Sequence, residues 1–106
     1  MHEKGDLSDD CKAAGGHFNP GKKNHGAPNV TDRHVGDLGN IEADSSGMAM
    51  VNITDEMISL TGSNTIIGRA IVVHGGEDDL GKGNQNDSLT TGHAGDRVGC
   101  GIVGLM

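Results

Sequence analysis

Five of the six histidines fall in an ordered pattern that suits metal binding better than acid–base work. His2 and His17 flank Cys11, His25 and His34 follow with Asp37 close behind, and His74 closes an apolar run. The spacing His17-x7-His25-x8-His34-x2-Asp37 supplies three imidazoles and one carboxylate. That is a closed four-ligand set of the kind zinc takes in tetrahedral sites. A chance cluster of surface histidines is the alternative, and the order and tightness of the set argue against it. Cys11 and Cys100 are too far apart in sequence for a CxxC pair, which excludes redox catalysis by vicinal thiols.

Ligands so spread along the chain must be held by something other than one helix. No segment sustains i, i+3, i+4 periodicity, whereas short apolar or alternating runs bounded by Gly, Asn and Asp recur. The reading is all-β, with predicted strands over Gly36–Ala43, Met48–Ile53, Ile66–His74 and Gly99–Leu105. Asp44-Ser45-Ser46-Gly47 is predicted to turn a hairpin between the first two. Two long irregular stretches remain, His2 to Arg33 and Gly75 to Asp96, and loops of that length in a small domain usually carry function.

Composition excludes several classes. With 106 residues the chain is one domain at most, 33% hydrophobic with 19 glycines and a single aromatic, Phe18, so staples must supplement a thin core. A net charge of -7 with scattered Lys and Arg argues against nucleic acid. No apolar run reaches membrane-spanning length, and the opening Met1-His2-Glu3-Lys4-Gly5-Asp6 resembles no signal peptide, so no membrane association and a cytoplasmic location are expected. The sequons at Asn29, Asn52 and Asn86 are accordingly read as chance. Gly76 to Gly83 follows an apolar strand like a phosphate-binding loop, but Gly83 stands where Ser or Thr is needed, and Asp78 and Asp79 would repel phosphate.

The residues between the histidines make the pattern specific. Gly16-His17-Phe18-Asn19-Pro20, His25-Gly26-Ala27-Pro28 and Arg33-His34-Val35-Gly36-Asp37-Leu38-Gly39-Asn40 resemble the metal-loop motifs of copper/zinc superoxide dismutases. So do Ile66-Ile67-Gly68-Arg69, Val72-Val73-His74, Asp78-Asp79-Leu80-Gly81, and Gly92 through Gly101 with Arg97-Val98-Gly99-Cys100-Gly101. The resemblance implies an antiparallel Greek-key β-sandwich, with residues 1–106 forming part of one such domain and the first half of the barrel absent. It implies a copper and a zinc ion, superoxide as substrate, oxygen and hydrogen peroxide as products, and a homodimer joined partly through Gly101–Leu105 and the loop near Cys11.

Residue by residue, the resemblance makes His17 the bridge between the metals. His25, His34 and Asp37 complete zinc, and His2 and His74 join His17 on copper. Asp78 becomes the carboxylate behind the ligands, linking the copper and zinc sides, and Arg97 the catalytic cation that guides superoxide. An ion pair with the neighbouring Asp96 is the competing reading for Arg97. Cys11 and Cys100 match the family's internal disulfide, which in the chain-entropy model removes about 4 to 5 kcal/mol of denatured-state entropy.

The family's fourth copper histidine would stand two positions before His2, ahead of Met1. The expectation is therefore a partial sequence that holds zinc better than copper, since Cu(II) favours four nitrogens in a tetragonal set. Two readings stay open: a superoxide dismutase, or a truncated, degenerate zinc-binding relative without that activity. Gly75, Gly76 and Thr90 stand where relatives often carry lysines, which predicts weaker steering, and His93 is expected to be a solvated loop residue.

Overall fold

A computed structural model describes all 106 residues. Only two strands form a ladder: β1 (Ala70–His74) and β2 (Arg97–Ile102), antiparallel to each other. A single 3-10 turn, Lys12–Ala14, is the only helix. Ile71, Val72 and Val73 supply the β-branched side chains that suit a pleated surface. Of 37 backbone hydrogen bonds, 5 lie within these elements and 32 in turns and loops, so the loops fold on each other rather than decorate a sheet.

The register of the pair decides which side chains meet. Val72 lies opposite Cys100, and a bulge between Val73 and His74 brings His74 opposite Arg97. Bulges commonly re-aim side chains in this way. The period-two alternation of β1 puts Ala70, Val72 and His74 on the more buried side and exposes Ile71 and Val73. His2 bridges β1 and the next segment, its amide donating to the Ala70 carbonyl at 2.7 Å while it pairs with His17 on the other side. Phe18 N donates to Met1 O at 2.9 Å, and Gly36 N to Phe18 O at 2.9 Å. A Cβ on Gly36 would collide with the Met1 carbonyl.

The core lies beside this knot. Met1, Phe18, Val35 and Ile66 are buried together, flanked by Leu38, Met57, Ile58 and Val103, and the Arg69 guanidinium stacks 3.8 Å over the Phe18 ring. A Cys11–Cys100 disulfide, with Cα atoms 6.0 Å apart, ties the first loop to β2.

Four strands are expected from the sequence and two form. The hairpin turn is made as expected: Asp44 N donates to Met48 O at 2.8 Å, Gly47 adopts φ 83°, and the Asp44 carboxylate caps Ser46 and Met48. Its flanks, Gly36–Ala43 and Met48–Ile53, do not continue the turn into a ladder: the pairing stops at the Asp44–Met48 bond. The third strand starts at Ala70, not Ile66, because Arg69 N bonds back to Ile66 O in a turn with Gly68 at φ 78°. The last begins at Arg97, two residues before Gly99, and ends at Ile102. The overall class is nevertheless all-β. Ile41, Val51, Ile53, Ile71 and Val73 line an open cavity of about 300 Å³ together with His2, His17, His25, Asp37, His74 and Asp78.

Candidate metal centre

The first loop turns back on itself so that His17, His25, His34 and Asp37 meet. Asp37 is the organiser. Its Oδ2 accepts from the His34 amide at 2.9 Å and the Gly26 amide at 3.1 Å, which leaves Oδ1 facing three imidazoles. Oδ1 lies 3.0 Å from His17 Nδ1, 2.9 Å from His25 Nδ1 and 3.2 Å from His34 Nδ1. His17 Nδ1 is in turn 3.1 Å from His34 Nδ1 and 3.3 Å from His25 Nδ1.

These separations test the fit of a metal. Zinc with nitrogen ligands at about 2.0–2.1 Å places tetrahedral donors about 3.3 Å apart. Five of the six separations among these four donor atoms lie at 2.9 to 3.3 Å, so the set fits zinc. Burial opposes ionisation of Asp37, but bonds from the three histidines and the Gly26 amide hold its carboxyl well below the usual carboxylate range. Burial would also lower His25, yet Asp37 and Asp78 on either side outweigh it and raise it to about 9. For His17 burial wins over the pull of Asp37, helped by the charges of His25 and His34, and its pKa is lowered.

His2, His17 and His74 form a second group that shares His17 with the first. His2 Nδ1 is 2.8 Å from Gly15 O, and His74 Nδ1 is 3.1 Å from Gly95 O. A carbonyl only accepts, so both Nδ1 atoms carry the proton and both Nε2 atoms keep a lone pair. Those Nε2 atoms face each other at 3.2 Å. Chiefly because it is buried, His2 is pushed down to about 3, so its ring stays neutral. With one nitrogen of His17 committed to the first group, the ring's other nitrogen remains for this one. Three convergent imidazoles, two of them with tautomers fixed by backbone carbonyls, suit a copper ion.

The surrounding residues hold these ligands. Asp78 Oδ1 lies 2.6 Å from His25 Nε2, which fixes that ring with Nδ1 toward the first group. Asp78 reaches only the first group, through His25; the expected link across to a ligand of the second group is not made by these residues. Asn40 pins Asp78 in place, accepting from its amide at 2.8 Å and donating to its carbonyl at 2.9 Å. Gly92 (φ 71°) packs against the His25–Asp78 bond, where a Cβ would strike both side chains. Arg97 does not pair with Asp96: it donates to the carbonyls of Cys11 at 2.8 Å and Lys12 at 3.4 Å, so no carboxylate neutralises its charge. His93 is exposed and paired with Asp87 at 2.6 Å, as a solvated loop residue should be. Asn40, Gly92, Arg33 and Asp55 have supporting roles that no sequence pattern assigns them. Their partners lie far off in sequence, and the motifs Arg33–Asn40 and Gly92–Gly101 contain three of them without giving those partners.

The chain has close relatives among known proteins. The family model described as copper/zinc superoxide dismutase (SODC) matches residues 1–103. A Cu-Zn superoxide dismutase of Yarrowia lipolytica is 57% identical over 105 residues, 99% of this chain and 68% of its own length. Superoxide dismutase 5 of Dictyostelium discoideum is 59% identical over 105 residues, covering 99% and 69%. An extracellular Cu-Zn superoxide dismutase of Haemonchus contortus is 57% identical across the whole chain, 58% of its own length. The crystal structure of the clock protein EA4 superposes with a TM-score of 0.95 at 51% identity, over 99% of this chain and 67% of that one.

Proposed function

From the premise that this chain belongs to the copper/zinc superoxide dismutase family, we propose a division of labour among its residues. The family activity makes it an oxidoreductase with superoxide as substrate and copper and zinc as cofactors. Residues 1–106 are read as part of one such domain. His17, His25, His34 and Asp37 would hold zinc, and His2, His17 and His74 would hold copper. The observation that carries this is the sharing of His17 between two convergent ligand groups.

Copper, when bound, supplies the one-electron couple by which two superoxide anions and two protons become oxygen and hydrogen peroxide. The chain's residues prepare the place. The carbonyls of Gly15 and Gly95 hold the protons of His2 and His74 on Nδ1 and aim Nε2 inward. Asp78 orients His25. Arg97, anchored on Cys11 O and opposite His74 across the strand pair, offers an anion an unpaired cation against a net charge of -7.

The test is metal content and dismutation measured on the chain and on His17→Ala. Loss of both metals from the variant is expected; full retention of either would sink the bridging role. The second reading, zinc binding without dismutation, draws on one observation: the zinc-side group has four donors and the copper-side group three. A chain that takes up zinc tightly, holds no copper and leaves superoxide untouched would decide for it.

A homodimer in the cytoplasm completes the proposal. Ile102 and Leu105 are exposed and would form part of the dimer surface with the loop near Cys11. No helix is long and apolar enough to cross a membrane. Sedimentation and fractionation of source cells test both points, and recovery from the medium alone would overturn the compartment, since a relative named extracellular is equally similar.

A further inference from the structure

The most completely buried large side chain belongs to a cation outside the ligand groups. Arg33 is 2% exposed, and its guanidinium spends all five N–H donors. Nε donates to His34 O at 3.0 Å, and Nη2 to Val35 O at 2.8 Å. Nη1 donates to Pro28 O at 2.8 Å. The remaining donors meet Asp55 side-on, Nη1 to Oδ1 at 2.7 Å and Nη2 to Oδ2 at 3.3 Å. Asp55 is itself fixed, because its Oδ2 also accepts from the amides of Met57 and Ile58 at 3.0 Å each.

The carbonyls are informative by position. Pro28 lies three residues beyond His25; His34 is a ligand; Val35 stands between His34 and Asp37 and is buried in the core. One planar fork therefore grips two of the three stretches that carry the zinc-side donors, those of His25 and of His34 to Asp37, and fastens them to residues 55–58. The His34 backbone is held on both sides, its amide by Asp37 Oδ2 and its carbonyl by Arg33 Nε and the Asp37 amide. Asp55 also cancels the guanidinium charge, so a buried cation can stand next to a site for a dication.

We propose that Arg33 and Asp55 form a positioning clamp that sets the zinc affinity of this site by fixing the ligand backbone before the metal arrives. The proposal rests on the assignment of zinc to His17, His25, His34 and Asp37. A lysine could keep the charge but not the fork, since one ammonium cannot reach acceptors on three segments in a plane.

The test is zinc competition against a chromophoric chelator on the disulfide-intact chain, with Arg33→Lys and Asp55→Asn as variants and the Co(II) absorption spectrum as a report of site geometry. Asp55→Asn keeps the shape and the oxygen that caps Met57 and Ile58, so it preserves a folded comparison. Partners of this kind are worth about 10- to 100-fold in metal affinity. Both variants are expected to lose that much and to shift the cobalt bands. A lower melting temperature of the metal-free variants with unchanged zinc affinity and unchanged cobalt bands would overturn the clamp and leave Arg33 merely structural. Failure of the unaltered chain to bind zinc would instead overturn the ligand assignment.

Discussion

Asp37 shows how one side chain can set a site's geometry: two amides take one oxygen, so the other must face the histidines. The same economy makes Gly92 vulnerable, because its missing Cβ is the space where His25 meets Asp78. Gly92→Ala is expected to weaken zinc binding by about 10-fold or more, as losing the orienting carboxylate would. Asp78→Asn should give a similar loss in the same chelator assay, and the two together little more than either. Asp55 gives an acid signature. Burial opposes its ionisation, but Arg33 and the Ile58 and Met57 amides prevail, and its pKa is lowered from the ordinary 3.8. A depressed carboxyl stabilises the fold above its unfolded pKa and loses that contribution as pH falls through the folded value. Metal-free unfolding should therefore ease below about pH 4, and Asp55→Asn should flatten that part of the pH dependence. The convergence of His17, His25, His34 and Asp37 was legible in the sequence because metal ligands need particular residue types. Arg33 and Asp55 were not, since 22 residues separate them and nothing in either residue type announces the partner.

Among the elements, the Cys11 loop and β2 are coupled twice. The disulfide joins Cys11 to Cys100, and Arg97, three residues earlier on β2, donates to the Cys11 carbonyl. Asp9, Asp10 and Cys11 all hold left-handed φ, at 54°, 51° and 70°, a conformation that non-glycine residues leave when released. Reduction should thus free the loop and unseat Arg97. The expected outcome is a lower second-order rate with superoxide and a weaker dependence of that rate on ionic strength, in the direction of Arg97→Ala; unchanged salt dependence on reduction would refute the coupling. The two paired strands were readable from β-branched runs and turn residues. Gly36–Ala43 and Met48–Ile53 carry equally good local signals, yet pairing depends on a neighbour that local sequence cannot supply.

For the whole molecule, the thin core leaves the convergent ligands and the disulfide as the main restraints on the first loop. Zinc would fix His17 to Asp37, and the bridge fixes Cys11, so both act on one stretch of chain. Chelation and reduction together are expected to lower the melting temperature by more than the sum of their separate effects, because neighbouring restraints do not add. A simple sum in scanning calorimetry would mean that the two staples hold independent regions. The class of fold and both loops were legible because glycine-rich, histidine-bearing segments leave few architectures. How those loops knot together was not, since the bonds that do it run between backbone groups distant in sequence.

A molecule with two short strands, one 3-10 turn, one phenylalanine and neither tryptophan nor tyrosine is also nearly silent to ordinary optical probes. Its far-ultraviolet dichroism should look much like that of a loose chain even when every loop is in place, and it has neither of the strong fluorophores, tryptophan and tyrosine, to report burial. A preparation judged by such signals would be discarded as unfolded, or quantified by the absorbance of its contaminants. Amide proton exchange and the colour of bound cobalt are the signals by which this chain can be seen to fold.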